Sequence, residues 1–358
     1  MTQSASIFDH SWLSALFADA EIDAALGADA QLGTMREIEA AYSRALGECG
    51  LRDAKLAERA AQHVLSAELD EAGLKEGTAR DGLVIPELVH QLKADAPDDI
   101  KPVIHSGLTS QDVIDTALVL NLRDAIAILA DRLQSVSSAI EELEVTFGEN
   151  PLAGRTRMQL ALEITVSDRL KTWRTPIETH LKRLAEIETR LIRLQLGGAV
   201  GDRASWAEHS QQIADSMARA LHLPSPGRSW HTDRTAIAEF SGWLSLITGT
   251  LGKMGQDIVL MAQQGVDDIR LKSGGSSSVM PHKHNPVLAE LLVTLARFNA
   301  TLLPGMHHAV VHEQERSGTA WALEWMLLPQ MVVATGRALL VAAEVVRDIT
   351  EMGSKPKS

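Results

Sequence analysis

The chain reads as an all-α protein built on a bundle of long helices, and three observations carry that reading. Prolines leave long clear runs: none lies between Pro102 and Pro151, between Pro176 and Pro224, or between Pro226 and Pro281. A helix interior is where proline does most harm, so each gap has room for a long helix. Apolar residues recur at helical spacing inside those runs. Strand signals are thin, with one tyrosine in 358 residues and no sustained alternation of apolar and polar positions.

The elements follow in order. Residues 34–46 and 51–72 hold shorter helical patches separated by glycines, and 93–102, with Asp95, Pro97, Asp98 and Asp99, is a polar connection. A smaller N-terminal helical domain is therefore expected over 1–104. Leu118, Leu122, Ala125, Leu129, Leu133, Val136, Ile140 and Leu143 then form one seam. Leu181, Leu184, Ile187, Leu191 and Leu194 form another, and Leu244, Ile247, Leu251, Met254, Ile258 and Met261 step by three and four through a third. These seams place the central bundle over 105–345, broken at 223–227 and 272–286. Residues 346–358 read as a short tail, loose from Gly353 onward, with little or no C-terminal domain.

Charge and cysteine narrow the function. Lys plus Arg is 34 against Asp plus Glu 47, a formal charge of −13. Phosphate backbones and anionic lipids favour basic partners, so neither nucleic acid nor membrane is the expected partner. A small anionic substrate remains compatible, because an acidic chain can hold a local basic pocket. Cys49 is the only cysteine, which rules out an intramolecular disulfide and fits a reducing interior. Residues 1–26 carry Asp9, Asp19, Glu21 and Asp23 without an early Lys or Arg, unlike a secretory leader. Apolar runs such as 338–343 are bounded by Arg337 and Glu344, too short to span a bilayer. A cytoplasmic protein is expected.

Three short segments stand apart from helix filler. In His105-Ser-Gly-Leu-Thr-Ser-Gln-Asp112, Thr109 and Asp112 have the spacing of a capping box opening a helix. The same helix start, with two hydroxyls and free amides, suits an anion, and His105 beside it could move a proton. Gly154-Arg-Thr-Arg-Met-Gln159 puts two arginines and a threonine in a turn, either a solvated basic patch or a bidentate carboxylate clamp. Residues 273–286 (SGGSSSVMPHKHNP) join a flexible glycine-serine half to a half dense in proton donors and acceptors. That pairing suggests a loop that orders over substrate, and it lacks the spacing of a phosphate loop.

The last segment, Ser277-Ser278-Val279-Met280-Pro281-His282-Lys283-His284-Asn285, resembles the S-S-x-M-P-x-K-x-N signature of the fumarase/aspartase superfamily. The first resembles that superfamily's T-S-x-D segment and the second its G-R-T-H-x-Q segment, in the expected order and within a helical scaffold over about 5–345. Within the superfamily, residues 194–201 (LQLGGAVG), 230–234 (WHTDR) and 313–321 (EQERSGTAW) with Glu324-Trp325 resemble the carboxymuconate cycloisomerases of aromatic degradation. Adenylosuccinate lyases are the nearest branch to exclude. They place a histidine, their general acid, where this chain has Arg157, and the carboxylate that supports that histidine falls on Glu290. Glu290 is accordingly expected to support Arg157 or a nearby cation.

The resemblance implies a chemistry and a set of residues. Superfamily members add or eliminate next to a carboxylate through an enediolate-like intermediate. Here a carboxylate oxygen of the substrate would add across a double bond of the same molecule, and a proton would follow to the α-carbon. Ser277 matches the proton-transferring lid serine, Lys283 would help lower its pKa, and His105 is a second candidate donor. In a run of three serines, Ser276 and Ser278 stay open as alternatives to Ser277. Thr109, Ser110, Arg155, Thr156, Arg157, Gln159, Ser278, Met280, Asn285, Glu290 and Arg316 are the implied substrate-binding residues. The substrate would be a small tricarboxylate, and the enzyme a homotetramer whose sites are shared between subunits. No cofactor and no metal are expected: His308 and His312 have i,i+4 spacing, but no H-E-x-x-H or cysteine accompanies them. The competing readings are a cycloisomerase of a sulfonated muconate, a C–N lyase of adenylosuccinate type, and a non-catalytic helical assembly protein.

Overall fold

The N-terminal residues form α1 (Ser14–Phe17), α2 (Ala20–Leu26), α3 (Ala28–Glu48), α4 (Ala54–Ser66), α5 (Glu71–Asp81) and α6 (Ile85–Ala94), with aspartate caps opening α2, α4 and α5. The computed structural model describes residues 4–276, 280 and 284–354. Asp53 accepts from the amides of Lys55 and Leu56, and Asp70 from those of Ala72 and Gly73. The expected patch over 51–72 is thus α4, a break, and the start of α5. The cap at Asp70 outcompetes a continuous helix by satisfying two orphan amides.

Long helices follow as the proline gaps predict: α7 (Ser110–Phe147), α8 (Val166–Leu191), α9 (Ser210–Leu221), α10 (Thr235–Met261), α11 (Val287–His308) and α12 (Gly318–Arg347). The third seam is buried along its whole length, from Leu244 to Met261, with no residue more than 4% exposed. Leu122 to Leu143 are likewise enclosed. α8 differs from expectation because it runs through Pro176, and α11 and α12 run through Pro304 and Pro329. Each proline removes one i→i−4 bond, a loss that packing of the flanking turns offsets. By length and composition α11 and α12 could each cross a membrane, yet α12 is mostly buried among its neighbours. α11 packs on both α10 and α12.

Two small antiparallel pairs were not foreseen. β1 (Pro151–Thr156) pairs with β2 (Gln159–Thr165), and β3 (Ile269–Leu271) pairs with β4 (Ile349–Met352). In the first hairpin Arg157 and Met158 both have positive φ, 49° and 65°. This is the geometry of a two-residue I′ turn, which usually recruits Asn-Gly. Its signal is therefore missing from the sequence. A bulge interrupts the register between Ala153 and Arg155. Gly154 sits there because a Cβ would lie 2.4 Å from the Leu162 carbonyl oxygen.

The expected loose tail is instead tied down as far as it is described. β4 completes the second pair, the Gly353 amide donates to the Asp268 carbonyl at 2.9 Å, and the Ser354 amide to that of Pro151 at 3.0 Å. These bonds knit both strand pairs into one end of the bundle. The opposite end carries the start of α7, the 194–201 loop, the 229–234 turn and the 309–317 connection.

Candidate active site

The first signature segment is built around Asp112. The capping box forms, with the Thr109 amide donating to Asp112 Oδ2 at 3.1 Å. The same carboxylate, 1% exposed, also accepts from the amides of Gly197 (2.6 Å) and Gly198 (2.9 Å), and from Gln195 Nε2 (3.3 Å). His231 Nε2 lies 3.0 Å from Asp112 Oδ1. A Cβ at Gly197 would come within 2.6 Å of Ser229 Oγ, so the loop can approach this closely only as glycine. Asp112 thereby locks three segments together and fixes Thr109 and Ser110 at the positive end of a 38-residue helix.

Next to it lies a buried ion cluster. Arg234 donates to Asp115 Oδ2 at 2.6 Å and Oδ1 at 3.1 Å, and to Glu324 Oε2 at 3.0 Å and Oε1 at 2.5 Å. Trp321 Nε1 adds a 3.1 Å bond to Asp115, and the Arg234 guanidinium lies 5.1 Å from the centre of the Trp230 ring. Burial pushes the Glu324 carboxyl up from its ordinary value while Arg234 pulls it down. Gln111 bridges this cluster to the surface: its Nε2 donates to Asp115 and to the His231 carbonyl, and its Oε1 accepts from Arg316 Nε at 3.1 Å. Arg316 is thus held beside the start of α7.

His105 stands on the other side of that helix start. It adopts a left-handed backbone (φ 55°), and its Nδ1 lies 2.5 Å from Oε1 of Glu39, a fully enclosed carboxylate on α3. Tyr42 donates to the Ser106 carbonyl and accepts from Trp206 Nε1 at 2.7 Å. Arg52 reaches Ser106 Oγ at 3.3 Å. Glu39 and Arg52 were missed in the sequence. Their one available signal is a lone acid within the apolar run Ile38-Glu39-Ala40-Ala41-Tyr42.

The second signature segment is the exposed hairpin at the far end. Arg155 is half-buried and ion-paired through NH1 with Asp268, another residue the sequence did not single out. Thr156, Arg157 and Gln159 are exposed, as are Met158, Leu160 and Leu162. In the third segment Gly275 and Asn285 exchange both backbone bonds (2.8 and 3.0 Å), closing the loop's neck. Ser273 anchors the neck to Asp348 through its amide and hydroxyl, each at 2.8 Å. Met280 is 42% exposed and Glu290 is exposed in the first turn of α11. Ser277, Ser278 and Lys283 lie outside the described residues.

Two expectations fail within one chain. Glu290 and Arg157 form no ion pair with each other, and neither has an ion-pair partner among the described residues; the turn carries Arg157 out into solvent. His308 and His312 do not share a helix, because α11 ends at His308. His312 lies half-buried near Arg234, and desolvation lowers its pKa.

The first and second signature segments are also far apart. α7 rises about 57 Å over its 38 residues, with Thr109 at its start and the Arg155 hairpin just beyond its end. A substrate a few ångströms across cannot touch both ends of one copy.

A family profile described as lyase matches residues 20–299. The chain is 33% identical over 343 residues to the 3-carboxy-cis,cis-muconate cycloisomerase of Acinetobacter baylyi, covering 93% of this chain and 76% of that one. It superposes on the 3-carboxy-cis,cis-muconate lactonizing enzyme of Pseudomonas putida with a TM-score of 0.87 and 31% identity, over 95% of this chain and 77% of that one. A fumarate lyase from Mesorhizobium sp. BNC1 superposes equally well, with a TM-score of 0.87 and 30% identity over 94% and 76% of the two chains. With the helical bundle and the three ordered segments, these likenesses make the chain a member of the lyase family of the fumarase/aspartase superfamily.

Proposed function

We propose that the chain is a cycloisomerase that converts 3-carboxy-cis,cis-muconate to a carboxymuconolactone. The observation that carries this reading is its likeness, at 31% and 33% identity over more than nine-tenths of its length, to two enzymes named for that substrate. Arg157 supports it independently. A C–N lyase must protonate a departing amine, whereas an internal carboxylate addition has no leaving group and does without an acid at that position.

The reaction balances as follows. One carboxylate oxygen forms a C–O bond to an alkene carbon, and the π electrons move onto the adjacent carboxylate as an enediolate. A proton then adds to the α-carbon. Three carboxylates become two plus a lactone, so one proton is taken up per turnover. Because the attack is intramolecular, the protein's work is to hold the reactive conformer, stabilise the dianionic carboxylate and deliver that proton.

In this reading each site draws on several copies of a homotetramer. One copy contributes the start of α7, where Thr109, Ser110 and Arg316 hold a carboxylate and His105 stands by as donor. A second contributes the hairpin, whose Arg155, Thr156, Arg157 and Gln159 clamp another carboxylate. A third contributes the loop with Ser277, Ser278, Met280, Lys283 and Asn285, and with it Glu290. Ser277 is the first candidate to deliver the proton and His105 the second. A Glu290–Arg157 pair, absent within a chain, would form between copies.

The test is loss of the diene's ultraviolet absorbance from 3-carboxy-cis,cis-muconate, run in a pH-stat with chelator present. Bleaching with uptake of one proton per diene is expected. No bleaching, with fumarate released from adenylosuccinate instead, would overturn the reading in favour of a C–N lyase. Preference for a sulfonated diene over the tricarboxylate would keep the chemistry and change the substrate.

A further inference from the structure

Between the N-terminal helices and the bundle lies a cavity of about 550 Å3 that none of the three signature segments lines. Its walls are apolar: Leu26 of α2, Met35 of α3, Leu74 of α5, Ile114 and Leu118 of α7, and Leu328 of α12. Two buried polar side chains interrupt that lining. Asn121 is 2% exposed, and its Nδ2 has no hydrogen-bond partner among the described residues. Glu324 is 1% exposed, and Arg234 occupies both of its oxygens. The exposed Asp29, Gln31, Glu71, Lys75 and Thr78 also line it.

From these residues we propose that the cavity binds a neutral, largely apolar small molecule carrying one hydrogen-bonding group. The volume falls within the range of small-molecule sites. An apolar wall favours a hydrocarbon or aromatic body. The enclosed carboxamide of Asn121 is costly to leave unpartnered, so one hydrogen-bond acceptor on the ligand gains a bond there. Charge disfavours anions: Asp29 and Glu71 outweigh Lys75. Cations gain little from Glu324, whose oxygens Arg234 already holds. The ligand is therefore the chemical opposite of the anionic substrate. Ile114 on the cavity wall lies four residues beyond Ser110 on α7, about 6 Å along the helix, and Glu324 belongs also to the buried ion cluster, so the cavity adjoins the candidate active site while Thr109, Ser110 and Arg155 stay outside its lining.

The test is a fluorescence titration of the full-length protein with 2-naphthol, which is neutral at pH 7 and carries one hydroxyl, with 2-naphthoate as the anionic control. Saturable binding is expected for 2-naphthol, with 2-naphthoate at least about tenfold weaker. Leu118→Trp, which fills the cavity, should remove binding. Asn121→Leu, which deletes only the carboxamide, should weaken it by about fivefold and decides the matter if Leu118→Trp does not fold. No saturable binding, equal affinity for the anion, or affinity unchanged in both variants would overturn the proposal. So would affinity that falls as the protein concentration rises, since a second copy would then be the cavity's occupant.

Discussion

Glu39 and His105 meet at the junction of the N-terminal helices and the bundle, with Oε1 and Nδ1 2.5 Å apart and the other carboxylate oxygen without a hydrogen-bond partner among the described residues. A carboxylate in this position accepts a hydrogen bond from Nδ1–H, so Nε2 is the nitrogen left to face substrate. A neutral amide in its place would make a weaker bond. Glu39→Gln is therefore expected to lower kcat by about 10- to 100-fold with little change in KM, and His105→Asn by at least as much. If Glu39→Gln keeps kcat within about twofold in the diene assay, His105 is not the proton donor.

The length of α7 makes subunit sharing testable without a structure of the assembly. Thr109→Val and Arg155→Ala each damage one end of the chain, so each variant alone should be nearly inactive. Unfolded together and refolded as a mixture, random tetramers would contain both intact halves in about a quarter of their sites, and activity should return to roughly that fraction. Two inactive variants that stay inactive on mixing, while forming hybrids by native mass spectrometry, would show that each site is completed within one chain.

Arg155 is oriented by its ion pair. Asp268 takes NH1, which leaves the Nε and NH2 edge for a substrate carboxylate, the edge that makes two parallel bonds. Lysine keeps the charge but has no such edge. Arg155→Lys should raise KM about tenfold or more, while Asp268→Asn, which still accepts a bond from NH1, should raise it only about two- to fivefold. An unchanged KM in Arg155→Lys would remove Arg155 from the substrate site.

Local rules were the legible part of this molecule. The capping box at Thr109 and Asp112 forms because its chemistry lies within four residues, and the three seams are buried because periodicity alone selects a face. What depends on distant pairing stayed hidden. The hairpin at Arg157 uses a turn type that the sequence does not signal. Glu39 is 66 residues from His105 and Asp268 is 113 from Arg155. Asp112 was visible as a cap, but its bonds to Gly197 and Gly198 needed the fold. Pro176 misled for the same reason: its local penalty is real, and bundle packing outweighs it.

The bundle interior should also make stability depend on pH through His180. Its ring lies inside α8's packing face, 2% exposed, with Nε2 2.9 Å from Thr250 Oγ1 and Nδ1 buried without a partner among the described residues. Desolvation, aided by the nearby Arg183, pushes its pKa down from 6.5 to about 4. Above pH 6.5 the imidazole is neutral whether the chain is folded or not, and it contributes nothing to the pH dependence. Between pH 6.5 and 4 only the unfolded chain takes the proton, so stability is lost as pH falls, and the loss levels off below about 4. Between pH 7 and pH 5 the expected loss from this one group is about 2 kcal/mol. Urea unfolding of the wild type at pH 7 and pH 5, set beside His180→Gln, measures it directly. The variant should be less stable at pH 7 but lose less on acidification. Equal losses in both proteins would assign the acid sensitivity to other groups.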